Sequence, residues 1–194
     1  MKIMLSKNED IRIVKTKKAI KGAFSELLEK TPYSRISIID ICDSAKVHRA
    51  TFYNYYRSKE DLFSCIIEDE KDRFIQNMED SKCETRSSVI NYLVDSFINV
   101  AGDNSSRIRN ILKVQGSNII KIVLNKSIYQ IIYQILSLYS NGEQIIPKDF
   151  IASFYAGAFT NIAIWYADNP NVTKDQFSSY VHYYLKDRLG DDYR

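Results

Sequence analysis

The chain has 194 residues, 45% hydrophobic and 26% charged, with only 6 Gly and 3 Pro. Such a chain can bury a substantial core without cross-links, and the scarcity of Gly and Pro excludes collagen-like and low-complexity chains and argues against a β-sandwich. The net charge of +3 conceals a division: residues 1–60 carry 13 Lys and Arg against 7 Asp and Glu, whereas residues 61–194 carry 14 against 17. A basic end on a mildly acidic body suits a nucleic-acid contact, although charge alone fits a solvated basic helix face equally well.

In chain order, the apolar pattern is helical nearly everywhere. Ala19, Ile20, Ala23, Phe24, Leu27 and Leu28 predict a helix from about Asn8 to Lys30. Thr31-Pro32 ends it, because the residue before proline avoids helical angles. Ser37 starts a short helix with Asp40 placed to complement its N-terminus, burying Ile38, Ile41, Cys42 and Ala45. A tight turn at Lys46-Val47 leads to a second short helix from His48 to about Tyr55. Ser58 caps the next, which runs to about Glu79 with Leu62, Phe63, Ile66 and Ile67 inward. Val89, Ile90, Leu93, Val94, Phe97 and Ile98 form a stripe that stops at Gly102. A short helix, a break at Gly116 and a long helix ended by Asn141-Gly142 follow. Pro147 fits the first turn of a helix that Pro170 stops, and Thr173 to Gln176 is a capping box for the last helix. The fold class is all-α, with about nine helices and no strand.

Two short helices joined by a tight turn and following a longer one describe a helix-turn-helix unit. Ala45 is small where the helices cross, Val47 plugs the turn, and Phe52 pins the second helix to the core. The other face then presents His48, Arg49, Thr51, Tyr53, Asn54 and Tyr55. Arg pairs bidentately with guanine, Asn with adenine, and a Thr methyl can touch the thymine methyl. Phenol hydroxyls suit phosphate oxygens. Lys59 adds charge at a helix N-terminus, where backbone N–H groups already favour a phosphate.

From about Thr16 to Leu62 the chain resembles the N-terminal DNA-binding domain of TetR-family transcriptional regulators. The string T-F-Y-x-x-Y-x-x-K-x-x-L, from Thr51 to Leu62, is the most specific part. The resemblance implies a DNA-binding domain over residues 1–62 and a helical ligand-binding and dimerisation domain over residues 63–194, joined rigidly within the fourth helix. It places Arg49, Ala50, Thr51 and Tyr55 on positions that face bases. Ser37, Tyr53, Tyr56 and Lys59 fall on positions that hold phosphates, and Lys15, Lys17, Lys18 and Lys21 on a basic arm. Two residues depart from the family pattern. Lys46 stands where Gly is usual, and a left-handed angle there would cost about 1 kcal/mol. His48 stands where Ser or Asn often caps the reading helix; it caps poorly, and capping, DNA contact and simple exposure all remain open for it.

The stretch from Phe154 to Pro170 resembles the penultimate helix of a TetR subgroup with a compact C-terminal domain. It is apolar nearly all round, so it must be buried on more than one side. This helix and the last, from each of two subunits, would pack as a four-helix interface through Phe154, Gly157, Ala158, Trp165, Tyr180 and Tyr184. The homodimer would set two reading helices roughly 34–36 Å apart on a double-stranded, pseudo-palindromic operator. The family also implies a small-molecule effector pocket, for which Phe97, Gln115, Ile119, Tyr129, Tyr133, Phe159 and Trp165 are candidates, although aromatic residues at helical spacing more often fill a core. The expected function is a cytoplasmic repressor or, less often, activator. The alternatives are a ligand-free regulator and a protein-binding adaptor or co-activator of the same fold.

No enzyme, cofactor or metal is expected. His48 and His182 have no metal-ligand spacing around them, and no GxSxG, P-loop or GxGxxG occurs. The uncharged apolar runs fall short of the roughly 20 residues of a membrane span, and the first residues lack a secretory apolar stretch. Cys42, Cys65 and Cys83 include no CxxC and suit a reducing cytoplasm; only Cys83 lies off the apolar stripes.

Overall fold

The computed structural model describes residues 7–81, 85–112, 118–139 and 146–186. Cys83, Gln115, Gly116 and the Asn141-Gly142 pair lie outside these residues, and Ile119 is placed by its backbone alone. Nine α-helices and no strand occur among the described residues: α1 Lys7–Lys30, α2 Ile38–Ala45, α3 Arg49–Tyr53, α4 Lys59–Asp80, α5 Arg86–Asp103, α6 Ser105–Leu112, α7 Asn118–Tyr139, α8 Lys148–Asp168 and α9 Lys174–Val181. A 3₁₀ turn, Tyr33–Arg35, joins α1 to α2, and a π-helical turn, His182–Lys186, continues α9.

Local chemistry starts most of these helices. Ser37, Ser58, Thr85 and Thr173 each accept a bond from the backbone N–H three residues on, and at Ser37, Thr85 and Thr173 the bond is reciprocated. Three boundaries differ from the sequence expectation. The second short helix, α3, is shorter, with His48 as an N-cap whose side chain makes no capping bond. Helix α5 passes through Gly102 to Asp103. A side chain at Gly102 would meet the Lys174 stem at about 3.0 Å, and Lys174 pairs with Asp103 at 3.0 Å, so the glycine leaves room for that stem and is not a helix stop. Pro147 is the N-cap of α8, just outside its first turn.

Two clusters form the interior. In the first, Ile20, Phe24 and Leu28 of α1 pack with Ile41 and Cys42 of α2, Phe52 of α3, and Leu62 and Phe63 of α4. Ile111 of α6 and Ile120 of α7 complete it. The second joins Met78 of α4 to Val89, Leu93 and Val94 of α5, Ile132 and Ile135 of α7, Phe159 of α8, and Phe177 and Val181 of α9. Helix α4 thus contributes to both.

Helix α6 ties the two parts together with polar contacts. Asn110 donates to the carbonyls of Leu28 and Glu29 at the end of α1, at 2.9 and 3.0 Å, and Arg107 pairs with Glu29. Arg109 donates to the carbonyl of Ala167 at the end of α8, at 2.6 Å. These are carbonyls a helix C-terminus leaves unbonded. Helix α8 is the one described helix long and apolar enough to cross a membrane by length and composition alone, closer to a span than the sequence reading allowed. Packing against α5, α6 and α7 covers one side of it, and Phe150, Phe154 and Trp165 stay exposed on the rest.

Candidate nucleic-acid interface

The α2–α3 unit is built around one wholly buried ring. Phe52 anchors α3, and Tyr53 and Tyr56 lie against it with ring centroids 5.6 Å away. With that side inward, His48, Arg49, Ala50, Tyr53 and Asn54 are exposed, Thr51 is half-buried, and Ser37 is exposed at the head of α2. The turn between the helices closes without glycine. Lys46 takes φ 55°, the only positive value at a non-glycine position among the described residues. Its N–H meets the Asp43 carbonyl, and the Val47 N–H donates to Cys42 at 3.0 Å. The backbone is the one a glycine would supply, held by a residue that finds it costly.

The expected phosphate positions separate. Ser37 and Tyr53 are at the surface. Tyr56 is 3% exposed, and its hydroxyl is buried with no hydrogen-bond partner among the described residues. Its ring fills the space between α3 and α4, so the phenol cannot reach a duplex without unpacking the core, and burial pushes its pKa up to about 12. Lys59 is turned inward, with its ammonium donated to the carbonyls of Tyr33 and Ile36. On the arm, Lys15, Lys17 and Lys18 are exposed, and Lys17 lies 5.5 Å from the Tyr55 ring centroid, which leaves Tyr55 half-buried beneath it. Lys21 is committed to Asp69 of α4.

Of the residues expected to line a pocket, Phe97, Tyr129 and Phe159 come together at the second core. Phe97 and Phe159 pack edge to face at 4.5 Å inside the second core, Tyr129 and Tyr133 stack at 5.8 Å, and Trp165 is on the outside of α8 beside Tyr180 at 6.3 Å. Trp165 and Tyr180 instead stand among the exposed aromatic residues of α8, α9 and the π-helical turn that continues α9. Phe154 is 63% exposed, Trp165 46%, Tyr180 48% and Tyr184 61%. Gly157 and Ala158 are half-buried on the same helix, and a Cβ at Gly157 would meet nothing within 4 Å. Cys42 is buried and Cys65 half-buried, and desolvation raises both thiol pKa values, which disfavours thiolate chemistry.

Residues 22–66 match the family model described as bacterial regulatory proteins, tetR family, and residues 94–187 match a model described as a transcriptional regulator C-terminal region. The HTH-type dhaKLM operon transcriptional activator DhaS of Lactococcus lactis subsp. lactis (strain IL1403) is 40% identical over 65 residues, 34% of this chain. The chain spans about a third of the length of that curated relative, 35%. A solved structure of the dihydroxyacetone kinase operon activator DhaS superposes with a TM-score of 0.62 at 22% identity, covering 90% of this chain and 96% of that one. The transcriptional regulator FadR from Bacillus subtilis, in complex with stearoyl-CoA, gives 0.67 at 19% identity, covering 89% and 96%. At these identities the superpositions establish the fold.

Proposed function

The chain belongs to the tetR family of bacterial regulatory proteins and is a transcriptional regulator with a helix-turn-helix DNA-binding part, and from that premise we propose that it represses transcription as a homodimer on a pseudo-palindromic operator. The observation that carries this reading is the exposed face of α3, where Arg49, Ala50, Tyr53 and Asn54 stand outward while Phe52 is wholly buried. A five-residue helix pinned by one ring can enter a major groove without losing its hold on the core. Arg49 and Thr51 read base edges, Ser37 and Tyr53 hold phosphates, and Lys15, Lys17 and Lys18 add backbone attraction. His48, exposed at the head of α3, is within the same face.

The dimer forms through the exposed aromatic surface of α8 and α9, since a patch of this kind marks an association site. Residues 1–62 read DNA, residues 63–194 dimerise, and the cytoplasm holds the complex. A small-molecule effector acting on the C-terminal part is supported by the FadR complex, which shares the fold. Activation is the second reading, because a relative at 40% identity is named an activator. Fluorescence anisotropy with DNA from upstream of the chain's own gene tests the DNA-binding reading. Nanomolar binding that weakens steeply with salt and is lost on scrambled DNA is expected; equal affinity for both duplexes overturns the reading. A reporter with and without the regulator decides the sign.

A further inference from the structure

Helix α4 begins where the reading unit ends, and its first residue, Lys59, also reaches the point where that unit begins. The Lys59 ammonium donates to the carbonyls of Tyr33 and Ile36, each at 2.7 Å, and lies 4.1 Å from the centroid of the Tyr33 ring. An ammonium has three N–H donors. Here the two carbonyls take hydrogen bonds and the negative face of the ring takes up a further side of the charge. Burial draws the Lys59 pKa down from its ordinary value.

The partners of this cation are themselves fixed. Tyr33 is buried, its ring set edge-on to Phe24 of α1 and Phe63 of α4 at 6.2 and 6.3 Å. Its hydroxyl donates to Glu60, the neighbour of Lys59, at 2.7 Å. Ile36 directly precedes Ser37, the N-cap of α2. The first two residues of α4 therefore grip the connection that launches α2, while the chain between α3 and α4 holds the other end of the unit. We propose that Lys59 is a positioning residue, clasping the start of α2 to the start of α4 so that α2 and α3 meet the duplex at one fixed angle, rather than a cation offered to the phosphate backbone. This assignment rests on the DNA-binding reading above.

The two roles differ in what salt does. A lysine that neutralises a phosphate releases a counterion and adds about one unit to the salt slope of binding; a lysine spent inside the protein does not. Binding of the full chain to its operator is measured across a salt series for the wild type, Lys59→Met and Tyr33→Phe, with far-ultraviolet circular dichroism as a check on folding. Lys59→Met keeps the stem and removes the donors. It is expected to weaken binding about tenfold or more at every salt concentration, with the wild-type slope and a broadened base preference. Tyr33→Phe keeps the ring and frees Glu60, and is expected to weaken binding several-fold, again at constant slope. A slope reduced by about one unit in Lys59→Met, with base preference intact, makes Lys59 a phosphate contact and overturns the proposal. Should Lys59→Met fail to fold, Lys59→Gln, whose amide keeps one carbonyl bond without the charge, is measured in its place, and a slope reduced by about one unit with base preference intact overturns the proposal. A wild type that prefers no duplex fails the functional reading itself, a result obtained before any variant is made.

Discussion

Lys46 holds a left-handed backbone that costs a residue with a Cβ about 1 kcal/mol relative to glycine. Lys46→Gly is therefore expected to raise stability by about 0.5–1 kcal/mol, read as a higher urea midpoint at unchanged m-value. A midpoint that stays or falls would mean that the lysine stem gives back what its backbone loses. Tyr56 carries the opposite kind of cost, a hydroxyl buried without a partner among the described residues. Tyr56→Phe is expected to leave stability unchanged or raise it, because an unbonded buried hydroxyl is a desolvation penalty. DNA affinity is expected to stay at the wild-type level; a loss of affinity at unchanged stability and unchanged salt slope would return Tyr56 to the phosphate contacts, since a neutral phenol releases no counterion. Alkali supplies a second check. Folding holds this phenol protonated, with its pKa pushed up to about 12, and Tyr33 is raised further by burial and by its bond to Glu60. Stability from such groups is complete below the ordinary phenol value of about 10 and declines as pH rises from there through the folded value. Between about pH 8 and about pH 11, Tyr56→Phe is expected to lose less stability than the wild type.

At the scale of the element, α3 separates an anchored side from an exposed one. Phe52 carries the burial, and the exposed side chains are those proposed to meet the duplex. Arg49→Ala is expected to cost about 1–3 kcal/mol of specific binding and to relax base preference at one operator position. Lys17→Ala on α1 is expected to weaken binding to all sequences and lower the salt slope by about one unit, with preference intact. A base-preference profile unchanged in Arg49→Ala would move the reading role to another residue. The outline of these elements was legible in the sequence because its causes are local. Ser37 and Asp40 cap α2 across three residues, and Phe24 and Leu28 mark the buried face of α1 by spacing alone. The ends were less legible. Gly102 reads as a stop, yet α5 runs one residue past it, and what the glycine does provide is room for the Lys174 stem, which comes from far along the chain.

For the whole molecule, the proposed dimer rests on the exposed aromatic residues of α8 and α9. A Cβ at Gly157 meets nothing within 4 Å in the monomer, so Gly157→Leu is expected to leave the monomer folded and to break the dimer by overpacking. Sedimentation velocity reads the outcome, and an intact dimer would place the contact elsewhere. By itself the amino-acid sequence determined the all-helical architecture, the helix-turn-helix unit and the outward set of Arg49, Tyr53 and Asn54, since periodicity, capping and turn chemistry act over a few residues. Only the tertiary structure decided that Tyr56 fills the core, that Lys59 is bonded to Tyr33 and Ile36, that Trp165 faces outward rather than into a pocket, and that α6 joins the ends of α1 and α8. Each of these depends on partners 23 to 82 residues away or on which side of a helix its neighbours cover. A one-dimensional pattern gives a residue its face on a helix, and packing decides what that face meets.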